Sequence, residues 1–134
     1  MANLPSHPDP KYEAGMAVRR AVLGDQYVDQ VLARTTAWSQ DIQELVTRYA
    51  WGEVWSRPGL PRATRSLINL AMLTALNRPQ EFKVHVAGAI RNGVSVAEIR
   101  EVLLQTAIYC GLPAALESFR WAEEALRELG VPLE

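Results

Sequence analysis

Cysteine is nearly absent. Cys110 is the only one in 134 residues, so no intramolecular disulfide forms and no CxxC redox or zinc motif exists. A reducing, cytoplasmic setting is the expectation. Histidine is almost as scarce: His7 and His85 are too few and too separated, with one cysteine, for a dedicated zinc site. Lys11 and Lys83 are the only lysines among fourteen Lys plus Arg, which leaves twelve arginines. Codon bias in a GC-rich genome accounts for that choice; so does an anion site lined by guanidinium forks. Neither sign of charge dominates, the net being −1, so nothing points to nucleic acid or an anionic membrane surface. Long hydrophobic runs are lacking. The longest, Leu67 to Leu76, is interrupted by Asn69 and Thr74 and is too short to cross a bilayer. The opening MANLPSHPDPKYEAG has no basic region followed by an apolar one, so no signal peptide is expected. There is no P-loop, dinucleotide-binding glycine pattern, HExxH or GxSxG.

What is present is helix punctuation. A chain of this length is expected to form one domain, 1–134, with an extended arm over residues 1–8. Asp9-Pro10 offers a cap and a first-turn proline, and Gly24 a stop, predicting a helix over about 10–23. A second runs from Asp25 to about Ala37. Ser39 is expected to cap a third, reaching about Ser56, with Ile42, Leu45, Val46, Tyr49 and Ala50 as its inward stripe. Pro61 opens a fourth, to about Asn77, apolar nearly all round and so expected to be buried on most sides. A fifth follows Pro79 and stops at Gly93. Ser95-Val96-Ala97-Glu98 is a capping box for a sixth, to about Cys110. Gly111 and Pro113 break the chain before a seventh, about 114–129. No segment alternates as a strand. The expected fold is a compact all-α domain of six to seven helices, and its over-apolar fourth helix suggests an oligomer.

Two residues stand out chemically. His85 shares the fifth helix with Phe82, Val86, Ala89 and Ile90, on or beside its apolar face. Imidazole suits proton transfer near neutral pH; a core histidine bonded to a carbonyl is the plain alternative. Glu53 extends the stripe of the third helix by a turn, an inward position that needs a partner or a proton; a structural pair with an arginine is the alternative. Arg65 and Arg78 bracket the fourth helix and are candidates to clamp a carboxylate, or are solvated helix ends. Arg19, Arg20 and Arg48 read more simply as solvated. Trp51 and Trp55 share a face, as core or subunit interface.

Four segments, in order, resemble 4-carboxymuconolactone decarboxylases: Tyr12–Gly24, Tyr49–Leu60, Thr64–Leu73 and Glu101–Gly111. The resemblance runs from about Lys11 to Gly130. It implies an alkylhydroperoxidase-D-like helical fold that self-associates as a homotrimer or homohexamer. It also implies loss of carbon dioxide from 4-carboxymuconolactone, a doubly charged lactone of protocatechuate breakdown, to give β-ketoadipate enol-lactone. No cofactor is implied, because the lactone carbonyl takes up the electrons through the ring double bond. On that resemblance His85 is the general acid or the donor to the lactone oxygen, Glu53 orients it or relays its proton, and Arg65 and Arg78 bind carboxylates.

Redox members of the wider superfamily carry a Glu, a CxxC pair and a His. Counting back from His85, this chain holds Arg78 and Glu81 at the thiol positions and Ser66 at the Glu position. Both thiols are thus missing, which argues against redox activity, and a redox protein of the same fold is the first rival to be set aside. A non-enzymatic assembly module is the second, and an enzyme for a different lactone the third.

Overall fold

A computed structural model describes Pro5 and residues 9–134. The expected N-terminal arm, His7 included, lies outside the described residues apart from Pro5. The chain divides into two compact units, residues 1–60 and 61–134. Among the described residues all regular structure is helical.

In the first unit, α1 spans Pro10–Leu23 and α2 spans Asp25–Arg34. Asp9 caps α1, its Oδ1 accepting from the Tyr12 N–H at 2.7 Å, and Pro10 fills a first-turn position that has no use for an N–H. Gly24, at φ 88°, turns the chain directly into α2, and Arg20 ties the two helices through Asp25 and Asp29. α3, Gln40–Leu45, runs without a break into a π-helical segment, Val46–Val54.

That segment packs on α1 backbone to backbone. A Cβ on Gly15 would sit 2.0 Å from the Thr47 carbonyl oxygen, and one on Gly52 would sit 2.6 Å from that of Lys11. Only glycine permits this approach. Arg19 is buried at the same junction, donating to Thr47 Oγ1 at 3.1 Å and Gln43 Oε1 at 2.9 Å.

Three expectations change here. α2 stops at Arg34, because Thr35 adopts an extended backbone while its hydroxyl donates to the Val31 carbonyl. Ser39 does not cap α3; its backbone is already helical and its Oγ accepts from the Thr36 N–H. The expected inward stripe turns outward: Ile42 and Tyr49 are 53% and 54% exposed, while Glu44, Thr47, Trp51 and Trp55 are buried. The polar partners Arg19 and Arg48 draw Thr47 and Glu44 inward. The i→i+5 bonding of the π segment also shifts the angular register beyond Val46.

The second unit contains α4, Arg62–Ala75; α5, Pro79–Arg91; α6, Val96–Tyr109; and α7, Leu112–Glu128. Asn77, in the left-handed region at φ 56°, closes the α4–α5 turn. The capping box is formed: Ser95 Oγ accepts from the Glu98 N–H and Glu98 accepts from the Ser95 N–H. Pro113 does not break the chain but occupies the first turn of α7, so that helix begins two residues early.

Leu70, Phe82, Val86, Ile99, Leu103, Trp121 and Leu126 form the core, with Phe82 and Trp121 edge to face at 5.7 Å. Thr74 donates to the Leu70 carbonyl, which leaves the Ser118 hydroxyl to donate to Thr74 at 2.7 Å. α4 is not buried on most sides. Ser66, Leu70 and Thr74 point inward, and Ile68, Met72 and Leu76 are exposed.

Candidate active site

The second unit brings together a cation, an amide and an imidazole on two adjacent helices. On α5, Phe82, Val86 and Ala89 form the buried stripe. His85 sits at its edge, half-buried. From α4, Asn69 reaches the ring: its Nδ2 lies 3.4 Å from His85 Nδ1 and 3.5 Å from Nε2. Burial pushes the His85 imidazole down to about 4, against an opposing pull from Glu81 one turn earlier. At neutral pH the ring is therefore uncharged, with one N–H donor and one nitrogen lone pair.

Arg65 stands one turn before Asn69 on α4 and is half-buried, so guanidinium and amide lie on one helix face. Arg78, the residue preceding α5, is exposed, its backbone N–H bonded to the Leu73 carbonyl.

Glu53 belongs to the first unit and does not occupy an inward position. It is about half exposed and bonds the Lys11 ammonium at 2.7 Å. That hydrogen bond and the Lys11 charge hold its carboxyl below the usual range, so Glu53 is ionised at neutral pH. Where the structural alternative had an arginine as its partner, Glu53 pairs with a lysine.

Asn69, the residue the structure puts beside His85, was not among the sequence candidates. Its signal was there, as the first polar interruption of the longest apolar run, one turn beyond Arg65.

At the positions where redox relatives carry their working groups, Ser66 is fully buried and accepts from Asn92 Nδ2 at 2.9 Å. Arg78 and Glu81 are exposed. Cys110 is exposed at the end of α6. Two cavities of about 360 and 290 Å³ lie between α6 and α7 and between α4 and α6. Neither is lined by His85, Asn69, Arg65 or Arg78.

Residues 40–124 match the carboxymuconolactone decarboxylase family. The chain belongs to that family. A 4-carboxymuconolactone decarboxylase of Acinetobacter baylyi is 44% identical over 92% of this chain and 92% of its own length. A 4-carboxymuconolactone decarboxylase of Pseudomonas putida is 49% identical over 32% of this chain and 90% of its own length. The nitrosuccinic acid decarboxylase npaB of Metarhizium robertsii is 40% identical over 88% of this chain and 82% of its own. This member of the carboxymuconolactone decarboxylase family thus keeps company with carboxy-lyases, and the redox alternative is not favoured. No helix among the described residues is long and apolar enough to cross a membrane.

Proposed function

We propose that this chain is a carboxy-lyase that converts 4-carboxymuconolactone to β-ketoadipate enol-lactone in protocatechuate catabolism. The observation that carries the reading is the likeness, over nine-tenths of both chains, to the Acinetobacter baylyi enzyme. The half-buried imidazole facing an amide supports it.

The leaving carboxylate is bonded to the ring carbon that carries the lactone oxygen. When that C–C bond breaks, carbon dioxide departs. The electron pair moves through the ring double bond into the lactone carbonyl. A proton then adds to the carbon beside that carbonyl. The substrate supplies its own electron sink, so the step is assigned no cofactor.

Arg65 and Arg78 bind the two carboxylates, for which planar guanidinium forks are suited. His85, neutral before substrate binds, offers an N–H to the oxygen where charge develops. A bound dianion favours the imidazolium, so the same ring can then deliver the proton. Glu53, ionised beside Lys11, enters as a relay candidate and not as a resting acid. The proposal takes residues 1–134 as a single functional chain. Self-association to a homotrimer or homohexamer belongs to it too, supported by Ile108 and Tyr109, 79% and 82% exposed on the second unit. A cytoplasmic location completes it.

A second reading has its own support in the nitrosuccinic acid decarboxylase relative. Nitrosuccinate, like 4-carboxymuconolactone, is a dicarboxylate with a carboxylate on a saturated carbon bonded to an electron-accepting group, the nitro group in one and the unsaturated lactone in the other. Both keep a carboxymethyl arm on that carbon. The arginines and the proton donor would serve either acid.

The test is turnover of freshly generated 4-carboxymuconolactone, with nitrosuccinate in parallel, by wild type and His85→Ala. Rapid turnover of the lactone, with a fall of ~100-fold or more in the variant, is expected. Turnover that survives the substitution moves the proton donor elsewhere. Turnover of nitrosuccinate alone replaces the first reading with the second. A folded wild type that turns over neither sinks both.

A further inference from the structure

We propose that the first unit carries an anion-binding site of its own, for a small carboxylate, built from Arg19, Arg34, Ser39 and Gln43 around a cavity between α2 and α3. It does not depend on the reading above.

An uncompensated cation carries the inference. Arg19 was expected to be solvated, and it is 5% exposed. Its Nη groups donate to two neutral oxygens, Thr47 Oγ1 and Gln43 Oε1, and its buried Nε–H has no partner among the described residues. A guanidinium keeps its charge in a protein, and a buried charge is costly unless an opposite charge faces it. The carboxylates around it are engaged elsewhere: Glu44 and Asp9 with Arg48, Asp25 and Asp29 with Arg20, and Glu53 with Lys11. Burial pushes the Arg19 guanidinium below its usual value; Tyr27 and Tyr12 pull the other way, and Arg20 adds to the loss. A neutral amide would meet Thr47 and Gln43 without the cost of the charge, so the helix contact alone does not account for an arginine.

A cavity of about 230 Å³ adjoins this junction, lined by Val31, Arg34, Thr35, Ser39 and Gln43. Gln43 is the link. It lines the cavity, and its Oε1 takes an Arg19 N–H, so its amide nitrogen, a double donor, is the end left for a ligand. Arg34 is exposed, and its Nε donates to the Gln30 carbonyl at 3.2 Å, which leaves its two Nη groups for the cavity. Ser39 Oγ accepts from the Thr36 N–H at 3.0 Å, while its own hydrogen has only a 3.5 Å contact with the Thr36 carbonyl, long for a hydroxyl donor.

The acceptors that would repel an anion are occupied. α2 ends here, and the Thr35 N–H covers the Leu32 carbonyl, the Thr35 hydroxyl that of Val31, and Arg34 Nε that of Gln30. Glu44, beside Gln43 in sequence, is bonded to Arg48 and Gln40. The cavity is smaller than the ~300–1,000 Å³ usual for drug-sized ligands, so its occupant is small. A planar carboxylate matches the Arg34 fork. It also supplies the negative charge that Arg19 lacks, through Gln43, which donates to the anion with one end and accepts from Arg19 with the other, so that both bonds polarise the amide in the same sense.

The probe is succinate, with inorganic phosphate in parallel, titrated into the full chain and followed by the arginine Nε–H signals in proton–nitrogen NMR. The Arg19 and Arg34 signals should move saturably with succinate, with a millimolar Kd or tighter. Arg34→Gln, a change at the surface, should weaken succinate ~10-fold or more. Gln43→Glu sets a carboxylate of the chain's own against Arg19. It should raise the thermal midpoint and also weaken succinate ~10-fold or more, because the fork is then filled.

Shifts that grow without saturating, or that stay on arginines of the second unit, overturn the proposal. Equal affinity in wild type and Arg34→Gln overturns it too, as does saturation by phosphate with none by succinate. A lower midpoint in Gln43→Glu shows that Arg19 takes no anion, with the same result, while Arg34→Gln keeps the binding test independent of that variant's folding. Turnover enters none of these outcomes, so the decarboxylase reading stands or falls separately.

Discussion

Lowering the pH should unfold this protein partly through one residue, His85. The folded imidazole protonates near 4, against 6.5 for a solvated histidine. Between those values the unfolded chain binds a proton that the folded chain refuses, so stability rises with pH across the window and falls as the solution is acidified. Below both values the full difference amounts to about 3 kcal/mol. Between pH 7 and pH 5 the share lost is about 2 kcal/mol, a large part of the ~5–15 kcal/mol that a domain usually has. The perturbation that isolates it is His85→Gln, which keeps a polar side chain and removes the titration. Urea unfolding of both proteins at matched concentration, at several pH values from 7 to 5, gives two stability curves. Wild type should lose about 2 kcal/mol more than the variant over that range, equivalent to roughly 8 °C in Tm. The absolute stability of the variant does not matter; the difference in slope does. Parallel curves would refute the buried neutral imidazole, and with it the resting state assigned to the site.

Two further outcomes follow from particular contacts. Gly15→Ala should destabilise the protein by about 3 kcal/mol or more, despite the better helix propensity of alanine, because a Cβ 2.0 Å from the Thr47 carbonyl forces α1 off the π-helical segment; a thermal melt as high as wild type would show that the helices do not meet as described. Glu53→Gln should leave the melt nearly unchanged, since its partner Lys11 is as exposed as it is. Its kcat then judges the relay: a fall of ~100-fold or more keeps Glu53 in the chemistry, and a kcat near wild type removes it.

Much of the helical order follows from local chemistry, and local chemistry is legible in a sequence. Asp9-Pro10, Gly24, Pro79 and the Ser95–Glu98 box each act within one turn, and each marks the boundary where it was expected. Pro113 was misjudged because proline both breaks helices and starts them, and only the first-turn geometry distinguishes the two. Family membership was legible too, since long matched segments carry it residue by residue.

Which face of a helix turns inward is decided by its neighbours. Hydrophobic spacing favoured Ile42, Leu45 and Tyr49 as the inner stripe. The close approach of Gly15, the demands of Arg19 and Arg48 and the π-helical register turned Thr47, Glu44 and Trp51 inward instead. Glu53 went outward with that rotation and found Lys11. His85 was visible as the only histidine on a predicted helix, but its partner was not. Asn69 and His85 lie sixteen residues apart, and no spacing rule joins them. The sequence alone determined the all-helical order, the caps at Asp9 and Ser95 and the family. The tertiary packing of α4 on α5 decided that an amide faces the imidazole, because that meeting depends on two helix rotations fixed by a shared core.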